Sequence, residues 1–194
     1  MILYCATSNP GKLREFRAAS GAGIDIESLP GLRRIVPPEE TGDTFEANAA
    51  QKAIYYSNLT DQMVFVDDSG LSVDVLGGAP GVYSARYAGP DATDEANNRL
   101  LLERMRGVTD RRARYVCVIA LARGGELIRT FRAEVEGQLL TEPRGTNGFG
   151  YDPLFYYPPF GCGFGEIDPD RKQSVSHRGE ALRALLTYLR RQAA

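Results

Sequence analysis

Cysteine is scarce in this chain. Only Cys5, Cys117 and Cys162 occur in 194 residues. Odd in number, far apart and without a C-x-x-C spacing, they exclude a disulfide framework and a zinc site built on paired thiolates, and they indicate a reducing compartment. Long apolar runs are missing as well. The longest interior run, from Val116 to Ala122, cannot span a bilayer, and Met1 to Ala6 is too short for a signal peptide. A cytoplasmic protein with no membrane partner is therefore expected. Nor does charge of one sign dominate: 23 Lys and Arg face 25 Asp and Glu, a formal net charge of -2. No global basic field advertises nucleic acid as a partner, and the arginines between Arg104 and Arg114 read as a solvated face. Repeats, linkers and low-complexity segments are absent from the sequence. What remains is a chain with 43% hydrophobic residues, long enough to bury a core without staples. A single domain over residues 1–194 is the expectation.

The apolar patterning alternates between two periods. ILYCA followed by TSNPGKLREFRAAS predicts a short strand, a loop and a helix carrying Leu13, Phe16 and the stretch from Arg17 to Ala19. The double proline in RRIVPPEETGD predicts loop up to Asp43, which is expected to cap a helix with Glu46 at the third position and an end near Tyr56. MVFV predicts a buried strand. GGAPG and YAGPDAT read as loops, and Asp94 to Met105 as a second amphipathic helix. RYVCVIALAR and ELIRTFRAEVEGQLL flank Gly124-Gly125 as an antiparallel hairpin, PRGTNGFGYDP is a glycine-rich loop, and LFYYPPF is apolar. Ala181, Leu182, Leu185, Leu186 and Leu189 form one stripe of a C-terminal helix. Together these predict an α/β fold with a mixed sheet.

Four stretches could carry chemistry. In MVFVDDSG, alternation sends Asp67 and Asp68 to opposite faces of a strand, so they cannot share one task. Alone, the motif also reads as a polar turn at a strand end. TSNPGK offers hydroxyls, an amide, backbone N–H groups and Lys12 at a helix start, suited to a phosphate. Ala6 and Leu13 rule out a Walker A loop, and an ordinary turn fits the residues equally well. On the helix after Asp43, Phe45, Ala49, Ala53 and Tyr56 share a face, with Asn48 and Lys52 on or beside it. A lysine there either meets an anion or snorkels to water. Glu39 and Glu40, with Asp67 and Asp68, could supply hard oxygen ligands for Mg²⁺. GTNGFGYDP combines flexible backbone, an aromatic able to stack on a base, and a carboxylate. His177, the sole histidine, and Arg178 stand in the first turn of the last helix, where cations oppose the dipole and favour an acceptor-rich ligand.

In this order, TSNPGKLREF, EETGDTFEANAAQKA, VDDSGLSVDVLGGAPGVYSARYAG, GTNGFGYDPLF and KQSVSHRGEAL resemble the inosine triphosphate pyrophosphatase family over nearly the whole chain. Pro10 and Asn147 are slight departures that remove no needed side chain. The resemblance implies an elongated mixed sheet flanked by helices, in two lobes with the active-site cleft between them, and a homodimer. It implies hydrolysis of ITP, dITP, XTP and dXTP to the monophosphate and pyrophosphate. Thr7, Ser8, Asn9, Pro10, Gly11 and Lys12 would cradle the triphosphate, and Lys52 would neutralise it. Glu39 and Asp68 would hold Mg²⁺, with Asp68 also the general base. Ser69 would hydrogen-bond the substrate. Phe149, Gly150, Tyr151, Asp152, Lys172, His177 and Arg178 would form the purine pocket. The alternatives are a related pyrophosphatase acting on modified pyrimidine nucleotides or dTTP, and a nucleotide-binding protein without turnover.

Overall fold

The structure is a computed structural model that describes residues 1–18, 20 and 23–192. Its framework is a seven-stranded sheet in the order β2-β1-β3-β4-β5-β6-β7. The strands are β1 (Ile2–Cys5), β2 (Asp25–Ser28), β3 (Val64–Val73), β4 (Arg112–Arg123), β5 (Glu126–Leu139), β6 (Phe155–Tyr157) and β7 (Cys162–Gly163). The helices are α1 (Pro10–Ala18), α2 (Phe45–Ser57), α3 (Asp94–Arg104), α4 (Pro169–Val175) and α5 (His177–Gln192). β1 pairs in parallel with both β2 and β3, whereas β6 pairs antiparallel with β5 and β7, so the sheet is mixed as the patterning predicts. Among the described residues, no helix is long and apolar enough to cross a membrane.

The chain divides into two compact units, the first comprising residues 1–68, 117–133 and 177–194 and the second residues 69–116 and 134–176. In the first, Phe16, Phe65, Cys117, Ile119 and Leu121 pack with Leu182, Leu185, Leu186 and Leu189 of α5. The expected α5 stripe is thus the buried stripe. On α2, Phe45, Asn48, Ala49, Ala53 and Tyr56 are buried, again as expected. The cap differs by one residue. Thr44, not Asp43, precedes the helix, and its Oγ1 accepts from the Ala47 N–H at 3.1 Å, because only the residue in extended backbone next to Phe45 reaches that donor. Ala19, the end of the stripe expected on α1, lies outside the described residues.

The second unit has its own core, in which Leu71, Leu101, Met105, Tyr115, Leu154, Phe155 and Phe164 meet. Tyr115, Phe155 and Phe164 have ring centroids 4.6 to 6.1 Å apart. α4, which the apolar pattern does not reveal, starts on a sequence-legible device: the Asp168 carboxylate accepts from the Arg171 N–H, with Pro169 at the first helical position.

DDSG is not a turn. β3 runs through it, and Asp67 and Asp68 sit mid-strand. Ladder hydrogen bonding and burial on both sides outweigh the turn preference of the isolated tetrapeptide. Gly70 permits the close approach of a neighbouring segment: a Cβ there would overlap Ser84 Oγ and lie 2.5 Å from the Gly81 carbonyl oxygen. Ser84 Oγ in turn accepts from the Leu71 N–H at 2.9 Å. Replacing Gly70 with Ala is expected to lower stability by about 1–3 kcal/mol through overpacking. Chemical denaturation checks this, and an unchanged midpoint would show that the 81–84 segment yields freely.

Candidate functional site

In the first unit, β3 and three helices, α1, α2 and α5, bring the acidic and cationic candidates together. α1 begins at Pro10, whose missing N–H costs nothing in a first turn. The Asn9 side chain accepts from the Gly11 and Lys12 N–H groups at 2.8 and 3.2 Å, and Thr7 Oγ1 accepts from the Asn9 N–H at 3.3 Å. The loop is therefore an internally bonded turn that also presents a helix start, and Ser8 within it is exposed. Lys12 reaches back to β3 and pairs with Asp67 at 2.8 Å.

The two carboxylates of β3 have different partners. Asp67 is buried against Lys12, with the Arg178 guanidinium 3.7 Å away. Burial pushes its carboxyl up, but Lys12 and Arg178 more than offset this and leave it at about 2. Arg178 also pairs with Glu15 of α1. Burial works against that guanidinium too, yet Glu15 and Asp67 outweigh it and keep it firmly charged. Asp68 instead receives Lys52 at 2.7 Å and Asn48 Nδ2 at 3.5 Å. Burial raises its pKa, Lys52 opposes the rise incompletely, and Glu40 adds to it. Lys52 sits between Asp68 and Glu40, 2.6 Å from the latter. Burial disfavours its charge, but the Asp68 and Glu40 carboxylates hold its pKa above the ordinary value.

Some expected positions are rearranged. Glu39 is exposed, and its carbonyl rather than its carboxylate is engaged, by Gln51 Nε2 at 2.9 Å. Glu40 is the acidic residue that joins Asp68 on a shared cation. Arg178, expected to meet a purine, has its guanidinium on Glu15 and Asp67, and His177 is buried beside it at the start of α5. Glu15 carries no sequence signal for this role, since its partner is 163 positions distant.

The second unit holds the other purine candidates. Lys172 is 4% exposed, pairs with Asp152 at 2.6 Å and lies 5.0 Å from the centroid of the Phe149 ring. Asp152 also accepts from the Phe149 N–H at 2.9 Å and from the Tyr115 hydroxyl at 3.2 Å. Gly148 has φ +79, and a Cβ there would overlap the Asp152 carboxylate, so glycine is required on both counts. Asn147 anchors the loop: its N–H donates to the Gly165 carbonyl at 2.9 Å and its Nδ2 to the Ile167 carbonyl at 3.0 Å. Tyr151 is buried and donates its hydroxyl to the Ser84 carbonyl at 2.8 Å. Ser69 is half-buried.

Lysines at a helix start and beside strand-borne carboxylates are an arrangement suited to phosphate groups. The family model of the Ham1 family matches residues 3–188. The chain is 51% identical to a dITP/XTP pyrophosphatase of Acidobacterium capsulatum, over 97% of this chain and 98% of that one. It is 44% identical to a dITP/XTP pyrophosphatase of Bacillus subtilis, over 95% and 94% of the two. Among solved structures, the Ham1 protein of Staphylococcus aureus superposes with a TM-score of 0.89 at 36% identity, over 99% of this chain and 100% of that one. The chain belongs to the Ham1 family.

Because Asp67 neutralises two cations in a buried setting, Asp67→Asn is expected to destabilise the fold by about 3 kcal/mol. Adding Lys12→Met should recover part of the loss by removing one of the uncompensated charges. Thermal unfolding of the two variants checks this. Equal melting temperatures for wild type and Asp67→Asn would show that water, not Asp67, satisfies Lys12 and Arg178.

Proposed function

We propose that this protein hydrolyses non-standard purine nucleoside triphosphates, ITP, dITP, XTP and dXTP, to the monophosphate and pyrophosphate. The observation that carries the reading is the buried Asp152–Lys172 pair beside the Phe149 ring. Hypoxanthine and xanthine present an oxygen acceptor at position 6 and an N–H donor at position 1, an edge that guanine shares, so the pair speaks for 6-oxo purines against adenine and the narrower restriction to ITP and XTP rests on the relatives' names. A lysine donor next to a carboxylate acceptor complements that edge, and Phe149 supplies a stacking face. Adenine presents the opposite pattern and would leave both buried groups mismatched. The names of the curated relatives point the same way.

The first unit's residues suit the triphosphate. Lys52 has three N–H donors, two of them taken by Glu40 and Asp68, and Lys12 lies at the start of α1. Glu40 and Asp68 already converge on one cation, so they fit a divalent ion of the Mg²⁺ kind better than the Glu39–Asp68 pair does. Among the described residues there is no cluster of three or more His, Cys, Asp or Glu. An ion of the Mg²⁺ kind takes one or two protein carboxylates and completes its shell with phosphate and water. When bound, such an ion would neutralise charge developing on the leaving pyrophosphate.

Asp68 is the proposed proton acceptor. Water attacks phosphorus, the bond to pyrophosphate breaks, and the water proton passes to the carboxylate. Burial and Glu40 raise the Asp68 pKa, which makes it a better base, while Asp67 stays ionised as a fixed counter-charge. Pyrophosphate release across a panel of ITP, XTP, GTP, ATP and dTTP tests the reading, with ITP and XTP expected clearly above GTP. ITP and XTP should be turned over far faster than ATP, and Asp68→Asn should lower kcat about 10²- to 10⁴-fold. Preference for dTTP, binding without turnover, or comparable kcat/KM for ITP and ATP would overturn it.

A further inference from the structure

Gly150 is the residue on which the Phe149 loop is held, and both sides of it are bonded to α3. Its N–H donates to the Asp94 carboxylate at 2.6 Å, and its carbonyl accepts from Asn98 Nδ2 at 2.9 Å. Asp94 and Asn98 are one helical turn apart, hence on one face of α3. Gly150 has φ +62, a left-handed conformation in which its N–H and carbonyl can turn toward one helix. The carboxylate bond is charge-assisted, and Asn98 is 9% exposed. Both residues also line a cavity of about 1220 Å³, together with Phe149 and Gly150.

We propose that Asp94 and Asn98 are positioning residues for base selection: they clamp the Gly150 peptide groups from α3 and so fix the plane of the Phe149 ring against the Asp152–Lys172 pair. Neither residue touches the reacting atoms. The inference rests on the reading that Phe149 and this pair recognise the base. Two further bonds complete the frame. Phe149 N–H reaches Asp152, while Tyr151, the residue after Gly150, is anchored at Ser84. The loop is thus tied at consecutive residues, and the ties at Gly150 come from side chains outside the loop. Neighbouring Asn97 has a separate task. Its Oδ1 accepts from the Ala88 N–H at 2.8 Å and its Nδ2 donates to the Ala85 carbonyl at 3.2 Å, so it serves as an internal comparison.

The test compares Asp94→Ala, Asp94→Asn and Asn98→Ala by steady-state kinetics with ITP and ATP, and with inorganic tripolyphosphate as a base-free probe. Asp94→Ala is expected to raise KM for ITP about tenfold, the size of one lost charge-assisted hydrogen bond, with kcat changed by less than about twofold. The ITP-to-ATP ratio of kcat/KM should fall by the same factor. Asp94→Asn keeps an acceptor oxygen and should restore most of the ratio, Asn98→Ala should behave like Asp94→Ala, and no variant should alter tripolyphosphate cleavage. A wild type that does not favour ITP over ATP would overturn the base-recognition reading itself. If the wild type favours ITP but the ratio survives Asp94→Ala and Asn98→Ala, or kcat falls equally for every substrate including tripolyphosphate, the clamp is overturned while that reading stands.

Discussion

The burial of Asp67 between Lys12 and Arg178 is the constraint on which the first unit depends. A carboxylate on a central strand would ordinarily be an expensive group, because desolvation disfavours its charge. Here two cations arrive from separate helices, Lys12 from α1 and Arg178 from α5, and the latter is itself balanced by Glu15. Every member of this chain of charges needs the next one. Helices from opposite ends of the sequence are thereby tied to β3 by electrostatics as well as by the apolar contacts of Phe16 and Leu182. Such a network is a weak source of net stability but a strong source of specificity, since removing one member strands the others in a dry environment.

That arrangement also frees Asp68. Adjacent residues on a strand face opposite ways, so Asp67 can neutralise Lys12 and Arg178 while Asp68 meets a different set. Lys52 and Asn48 reach Asp68 from α2, and Glu40, in the segment before it, shares Lys52. The buried face of α2 explains how: Asn48 is fully buried among Ala49, Ala53 and Phe45, and Lys52 follows one turn later at the edge of the same face. The two carboxylates end with opposite shifts, one lowered to about 2 and one raised. Pairs of titratable groups driven apart by their surroundings are what acid–base chemistry needs.

Much of this was legible in the sequence, for identifiable reasons. The α2 and α5 stripes follow helical period, the Gly124-Gly125 reversal separates two long strands, and alternation separates Asp67 from Asp68. What escaped were features without local periodicity. β2 is four residues long, with only Ile26 buried, too short to declare itself. The continuation of β3 through DDSG depends on tertiary packing that overrides a turn-prone tetrapeptide. Choosing between Glu39 and Glu40 requires knowing which one faces Lys52, and adjacent loop residues carry no periodicity to decide it. The partners of Arg178 could not be read at all, because Glu15 and Asp67 are distant in sequence and near only after folding.

On the proposed reading of the second unit, selectivity is better built from a buried pair than from a lone exposed donor. Lys172 and Asp152 are almost without solvent, and Asp152 already holds the Tyr115 hydroxyl and the Phe149 N–H. A base edge that complements the pair adds hydrogen bonds to groups whose desolvation cost was met on folding. A base edge of reversed polarity sets donor against donor and acceptor against acceptor, with no water to repair the mismatch. An exposed lysine would turn to solvent and lose little, whereas a buried, stacked and ion-paired one cannot. If the pair meets the base as proposed, the penalty for the wrong base is the full cost of unpaired buried groups rather than the modest net value of one hydrogen bond. Discrimination of this kind requires the aromatic face to stay in register with the pair. The glycine backbone around Phe149 would allow many loop conformations, and the bonds from Asp152, Asp94 and Asn98 to that backbone, with that of Asn147 to the Ile167 carbonyl, narrow the choice.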